Sequence, residues 1–489
     1  MANLSVQAGA TAIRGEAGRR APRLGASGTQ ASGDQVGRAT KWVIALFFVA
    51  LFIPGSFYVG IRMTPFRLLL IVMAIPMVLR FRADPDIRIT PLDVLMFLAT
   101  FWRALAILAN HQAAEIANAG STFVELFFGY LLGRVYVRSA ADYRYFFRCF
   151  LITMAAFLPF GLVELLLKKE LLRDLFSVAL QQIPMDTRSQ SFRFGLMRVE
   201  LSFDHAILFG TFCTMGFANV YYVYRDRAPL NLLFAAFVAA MTLLALSSSS
   251  MLVLILQTGL ILYGILFRFL PHRWALLIGV TLVGWYGFQL LFGKSVVDWI
   301  VQDLVYNTVG AEARIDQMTY GLMEIARHPV FGVGFNDIAM PFWYGTVIDN
   351  FWLFTAIRFG IPALFLIATA FLVQFLSIGA AEDLDETESR YRLGYMITLA
   401  TTALIIGTLT IWGIGLVYVM VYIGVGAWFY DRPRRRGIRL RPRPVPGAAP
   451  DRPRPGGPAA GGSGRPRLQG ASAGVSRMRG APSVPQSRG

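Results

Sequence analysis

Between residues 42 and 430 the sequence repeats one pattern: an apolar stretch of bilayer-crossing length, then a polar connection. Nothing else in the chain constrains its fold as strongly. A helix that crosses the hydrocarbon core needs roughly 20 mostly apolar residues, because it must bond all its backbone polar groups internally. On that template about twelve spans are expected, near 42–58, 65–78, 92–108, 123–137, 145–167, 206–223, 230–246, 251–270, 274–292, 351–375, 393–409 and 411–430. Composition agrees: 55% of residues are hydrophobic, only 15% are charged, and the mean hydropathy is +0.53. A soluble chain carries roughly 25% charged residues. The expected fold is an all-α, polytopic membrane helix bundle.

The formal net charge of +17 at first suggests a nucleic-acid partner. Its distribution removes that reading. Residues 1–41 hold six basic and two acidic residues, and residues 431–489 hold fourteen and two, so the body between them is nearly neutral. Both ends are polar and rich in Arg and Gly, with Pro abundant in the second, and are expected to be disordered tails. The first has no apolar stretch of the kind a signal peptide needs. The two cysteines, Cys149 and Cys213, both fall in expected spans, so no disulfide framework is expected. No Cys/His cluster has metal-ligand spacing, and neither a metal nor another cofactor is expected.

Orientation follows from the Lys/Arg bias of short connections. One set of loops holds Arg80, Arg82 and Arg88; Arg134, Arg138 and Arg144; Arg225 and Arg227; Arg268 and Arg273; Arg390 and Arg392. The alternate short loops hold essentially only Arg62. The rich side, with both basic tails, is assigned to the cytoplasm. The two long connections, 168–204 and 293–350, then face outward, and long loops between ordered elements are where function concentrates.

The first outer loop places Arg188, Arg193 and Arg198 near the outer surface and Asp204-His205 at the mouth of a span. The second has a helical pattern over 311–327, with Ile315, Met318, Leu322 and Ile325 on one stripe, ended by Pro329. Gly332 and Gly334 then permit tight turns. Arg314 would sit in the first turn of that helix, where free N–H groups and a guanidinium suit phosphate oxygens. The plainer reading makes these arginines surface ion pairs with Asp186, Glu200, Asp204, Glu312, Asp316 and Glu324. His205, beside Asp204 at the boundary, has a better case for chemistry than His328. Asp349-Asn350 stands where the second loop re-enters the membrane. Asp349 is a candidate general base, and either residue is equally a helix N-cap. Glu125 and Arg103 lie inside spans and could pair with each other.

Five segments in order resemble the O-antigen ligase and Wzy-type polymerase superfamily. They are FGYLLGR (128–134), RVELSFDHAILFG (198–210), the serine run 247–250, ARIDQMTYGLMEIARHPVFGVG (313–334) and DNFWLFTAIRFGIPALF (349–365). The resemblance covers roughly 42–430. It implies a GT-C-like glycosyltransferase without a metal, working on undecaprenyl-pyrophosphate-linked glycans at the periplasmic face of a bacterial inner membrane. It assigns Arg314 to the pyrophosphate and Arg198 to a second phosphate contact; Arg193 and Arg327, on the same outer side, are further candidates for phosphate contact. His328, Gly332, Gly334, Asn350 and Glu125 would be structural or positioning. A flippase and a chain-length regulator are the implied partners. Two departures stand out. Ligases carry His-Asn where this chain has Asp349-Asn350, and the serine run is followed by Met251 rather than arginine. The first favours a polymerase of exopolysaccharide, capsule or O-antigen repeats over a ligase to lipid A core. A secondary transporter would instead concentrate ionisable residues near the bilayer midplane, and a non-catalytic assembly subunit would act through its basic tails.

Overall fold

A computed structural model describes residues 36–179, 192–293, 308–339 and 348–432. Most of both expected tails, together with Asp186 and Arg188, lies outside the described residues. The described residues are mostly helical, and the chain is a helical membrane protein. Among the described residues, six helical stretches are long and apolar enough to cross a bilayer: Pro91–Tyr136, Ala140–Leu167, Ala206–Val223, Ser248–Leu266, Arg273–Phe292 and Phe351–Gly379. Two shorter apolar helices, Leu230–Leu244 and Gly413–Phe429, accompany them.

In chain order the helices begin with α1 (Arg38–Phe52), α2 (Pro65–Ala83) and α3 (Pro91–His111). A bent rod follows, made of α4 (Ile116–Phe123), a π turn (Val124–Phe128) and α5 (Gly129–Tyr136). Next come α6 (Ala140–Leu167), the short α7 (Leu171–Ala179), α8 (Ala206–Val223), α9 (Leu230–Leu244), α10 (Ser248–Leu266) and α11 (Arg273–Phe292). The last four are α12 (Thr308–Arg327), α13 (Phe351–Gly379), α14 (Glu386–Ile405) and α15 (Gly413–Val425). Two small antiparallel hairpins complete the fold: β1 (Phe57–Val59) with β2 (Ile61–Met63), and β3 (Phe192–Arg193) with β4 (Leu196–Met197).

The helix starts follow local chemistry. Thr64 and Thr90 cap α2 and α3, each followed by proline, whose fixed φ suits the first helical position. Thr90 with Asp93, and Asp385 with Glu388, form capping boxes. The stretch from Pro91 to Tyr136 folds back on itself. Gln112 takes a positive φ after α3, Phe97 meets the rings of Phe123 and Phe127, and Asp93 meets Arg134 at 2.9 Å.

At the centre α15 is buried from Ile414 to Val425. Hydrophobic residues cannot drive helices together in lipid, so close packing and polar contacts do so. Gly133 on α5 and Gly424 on α15 let the two backbones touch: a Cβ at Gly133 would collide with the Val421 carbonyl, and one at Gly424 with that of Tyr130. Buried amides join further helices. Asn219 on α8 accepts from the Tyr143 hydroxyl at 2.5 Å and donates to Thr398 and Tyr422 at 3.0 and 2.9 Å. Gln257 donates to Thr401 at 2.9 Å.

The basic connections gather at one end of the bundle. Arg134, fully buried, bonds Asp93 and lies 2.6 Å from Asp431. Arg138 shares Asp431 at 3.0 Å, Arg432 meets Glu388 at 2.7 Å, and Arg390 pairs with Asp226. These pairs tie the end of α5, the α5–α6 connection and the first turn of α14 to the chain just after α15, and the α8–α9 turn to α14.

Candidate functional site

The opposite end holds the long connections, and here the chain assembles a polar site from segments distant in sequence. The first part is the stretch after the β3–β4 hairpin. Glu164, near the end of α6, accepts from the backbone N–H of Glu200 and Leu201 at 3.3 and 3.1 Å. Arg173 on α7 donates from Nε to the Leu201 carbonyl at 2.8 Å, also reaches the Phe203 carbonyl, and pairs with Glu170 and Glu200. Val199 N–H bonds the Leu244 carbonyl at 3.2 Å, anchoring the strap to the end of α9.

The strap fixes Arg198. Only 7% of this residue is exposed; its Nε donates to the Ala245 carbonyl at 3.2 Å, and its Nη2 has no hydrogen-bond partner. Burial pushes its pKa below the usual guanidinium value, Arg193 adds to that, and Glu200 opposes it. Ser202 Oγ and Ser250 Oγ are also buried without a hydrogen-bond partner. Such groups are rare in folded proteins because each forfeits hydration without return. Ser250 belongs to the serine run that opens α10, and it packs against Gly210 so closely that any side chain there would collide with it.

Asp204 and His205 follow directly. His205 caps α8, its Nδ1 accepting from the Ile207 N–H at 3.1 Å, and its ring lies 6.2 Å from that of Trp412. Asp204 approaches Gly413 so closely that a Cβ there would lie 2.6 Å from its Oδ2. Asp204 is also near enough to Glu125 for the two charges to repel. Glu125 and Arg103, which could have paired with each other, do not. Glu125 bonds Arg67 on α2 at 2.7 Å, because the π turn redirects it toward that helix. Arg103 lies instead over the Phe359 ring at 4.3 Å, is 8% exposed, and keeps a partnerless Nε.

The second part lies around the start of α13. Asn350 is the N-cap, accepting from the Leu353 N–H at 3.0 Å. Asp349 is thereby released from capping; it is half-buried, and its N–H donates to Gln317 on α12 at 3.0 Å. Thr410 Oγ1 donates to the Ile348 carbonyl, so Asp349 and the Asp204-His205 pair both border the loop 406–413.

The third part is a break in α13. Gly360 has φ +84 inside the helix and Pro362 follows, which frees backbone groups within an apolar segment. The chain 329–336 satisfies them. Val333 and Gly334 donate to the carbonyls of Ile357 and Arg358, both at 2.9 Å, and Ile361 donates to that of Pro329 at 2.8 Å. Gly332 and Gly334 both have positive φ, and a Cβ at either would strike neighbouring atoms. Trp102 and Asn110 on α3 donate to the carbonyls of Phe359 and Phe331 at 3.1 and 3.2 Å, while Arg358 reaches back to the carbonyls of Gly334 and Asn336.

Helix α12 differs from expectation in two respects. It starts at Thr308, so Arg314 falls in its second turn rather than its first and is removed from the free N–H groups there. The Arg314 side chain lies outside the described residues. The packed face holds Gln317, Gly321 and Glu324; of the apolar stripe, Met318 and Leu322 are exposed, while Ile325 packs beside Val333, Leu353 and Ile357. Gly321 lets α12 approach Leu353 and Ile357 of α13 closely, and Gln317 accepts from the Asp349 N–H. Arg327 pairs with Glu324 at 3.1 Å, and His328 Nε2 lies 3.8 Å from the same carboxylate. Arg193 is exposed on its hairpin beside Arg198.

Glu164, Arg67 and Arg358 were open to discovery by the rule that picked out Glu125, since each is a charge inside an expected span. Arg173 and Trp412 carried no such signal. Chemically, the arrangement offers a buried guanidinium with spare donors, partly buried carboxylates and an imidazole, at the ends of apolar helices. Comparison with models of known protein families finds no match, and a search among curated proteins finds none either.

Proposed function

We propose that this chain is a polymerase that joins undecaprenyl-pyrophosphate-linked oligosaccharides on the outer face of a bacterial inner membrane. In this reading it crosses the membrane twelve times in a GT-C-like bundle, with both termini in the cytoplasm. The helices α1 to α6, with α4 and α5 counted as one, and then α8 to α11 and α13 to α15 are the twelve passes. The gathering of basic connections at one end supports that orientation by the positive-inside rule.

The observation that carries the reading is Arg198, a buried guanidinium with a spare Nη2 at the membrane boundary. A cation kept from water without full hydrogen bonding is costly unless an anion completes it. A pyrophosphate headgroup rising from the bilayer meets that need. In the reaction a hydroxyl oxygen of the acceptor repeat attacks the anomeric carbon of the donor glycan. The bond from that carbon to the pyrophosphate oxygen breaks, and the electron pair leaves with undecaprenyl pyrophosphate. The hydroxyl proton passes to Asp349, or to His205. Arg198 and Arg314, with Arg193 and Arg327, stabilise negative charge that grows on the leaving group.

The test is Arg314→Ala in cells and in purified protein. Polymer is expected to vanish while the protein still inserts in the membrane. Polymer of normal length would overturn the assignment. Offering purified protein both lipid A core and a lipid-linked repeat as acceptors distinguishes polymerase from ligase.

A further inference from the structure

The arginine-rich end, far from the site above, contains a cavity of about 1230 Å³ between α6, the start of α1, the α8–α9 turn and the start of α14. Its lining divides by chemistry along α6. Arg144 and Arg148 lie toward the helix start; Leu151, Ile152 and Ala155 follow one or two turns deeper. Across the opening, Lys41 and Arg227 join the basic part, and Leu230 and Phe234 on α9 continue the apolar part. From Ala140 to Ala155 the helix rises about 22 Å, enough to pass from the membrane boundary to the bilayer interior. Ile152 is 58% exposed, so the apolar part is open to surrounding lipid.

The charges of this cavity do not cancel. Both lining carboxylates are already engaged: Asp226 pairs with Arg390, and Asp385 caps α14 by accepting from the Glu388 N–H at 2.8 Å. Arg144 donates through Nε to the Tyr391 hydroxyl at 2.9 Å, and no described residue takes its Nη groups. Among the described residues, Lys41, Arg148 and Arg227 have no carboxylate partner. Four cations at the rim and a hydrocarbon wall below them match a molecule with an anionic head and an apolar tail. A soluble anion would gain nothing from the wall, and a neutral lipid nothing from the cations.

We propose that this cavity binds an anionic phospholipid, its phosphate among Lys41, Arg144, Arg148 and Arg227 and one acyl chain along Leu151, Ile152, Ala155 and Phe234. The site rests on the membrane character of the chain and not on the transferase reading. Native mass spectrometry of the detergent-purified full chain tests it, using phosphatidylglycerol with eight-carbon chains as the probe, phosphatidylcholine of the same chain length, and glycerol phosphate. Retention of phosphatidylglycerol well above phosphatidylcholine is expected, with no retention of glycerol phosphate. The Arg148→Gln/Arg227→Gln double variant should bind phosphatidylglycerol about 30-fold more weakly. Ala155→Trp, which fills the apolar part and keeps every charge, should also weaken it. Equal retention of the two lipids, or full retention by either variant, would overturn the proposal. So would glycerol phosphate binding as tightly as the whole lipid, which would make this a simple anion site.

Discussion

Replacing Arg198 with glutamine separates a ligand-binding guanidinium from a structural one. In the folded protein the side chain makes one described hydrogen bond, from Nε to the Ala245 carbonyl. Losing it costs about 1 kcal/mol. Removing a buried cation whose Nη2 has no partner returns a similar amount. The net change in stability is therefore expected within about 1 kcal/mol, or about 3 °C in melting temperature. If Arg198 holds the departing pyrophosphate, its loss weakens the transition state by about 2.7–4 kcal/mol, a decrease of roughly 100- to 1000-fold in kcat/KM. The assay is polymerisation of a purified lipid-linked repeat, with thermal unfolding in the same detergent. A rate reduced by less than about fivefold would refute the role. A melting temperature that fell in step with activity would mean that Arg198 holds the fold.

Five other substitutions test the framework and the chemistry. Asp93→Asn takes one of two carboxylates from the fully buried Arg134, which keeps Asp431, and should destabilise the protein by about 2 kcal/mol, read as a lower detergent melting temperature. Gly133→Ala and Gly424→Ala each force a methyl group into the facing backbone, and each should reduce the folded, monodisperse yield in size-exclusion chromatography. Asn350→Ala should cost about 1 kcal/mol of stability through the lost cap. Asp349→Asn keeps that cap and should lower the transfer rate about 100-fold with stability unchanged; a normal rate would remove Asp349 as the base.

The outline of the site was legible in the sequence. Asp204-His205 and Asp349-Asn350 stood out as polar pairs at the mouths of apolar stretches, and both border the loop 406–413. Arg198 stood out as an outer-side arginine. What was not legible was each residue's partner. Glu125 and Arg103 are both charges in the expected outer half of the membrane, which made them natural partners by depth. Depth alone does not specify rotation, and the π turn swings Glu125 to Arg67. Nor did apolar spacing say which face of α12 packs: Gln317, Gly321 and Glu324 are buried, while Met318 and Leu322 of the apolar stripe are exposed.

Composition and spacing by themselves determined that this chain is a helical membrane protein, because the hydrocarbon core accepts no other use of long apolar segments separated by charged turns. The same information located the polar residues along the chain. Only the tertiary structure decided that Glu164 and Arg173 strap down Arg198, that the chain 329–336 fills the break at Gly360, and that Asn350 rather than Asp349 caps α13. Those choices depend on how each helix is turned about its axis and which backbone it meets. In a bundle whose inner and outer faces are both apolar, hydropathy does not encode that rotation; side-chain size and single hydrogen bonds across long separations do.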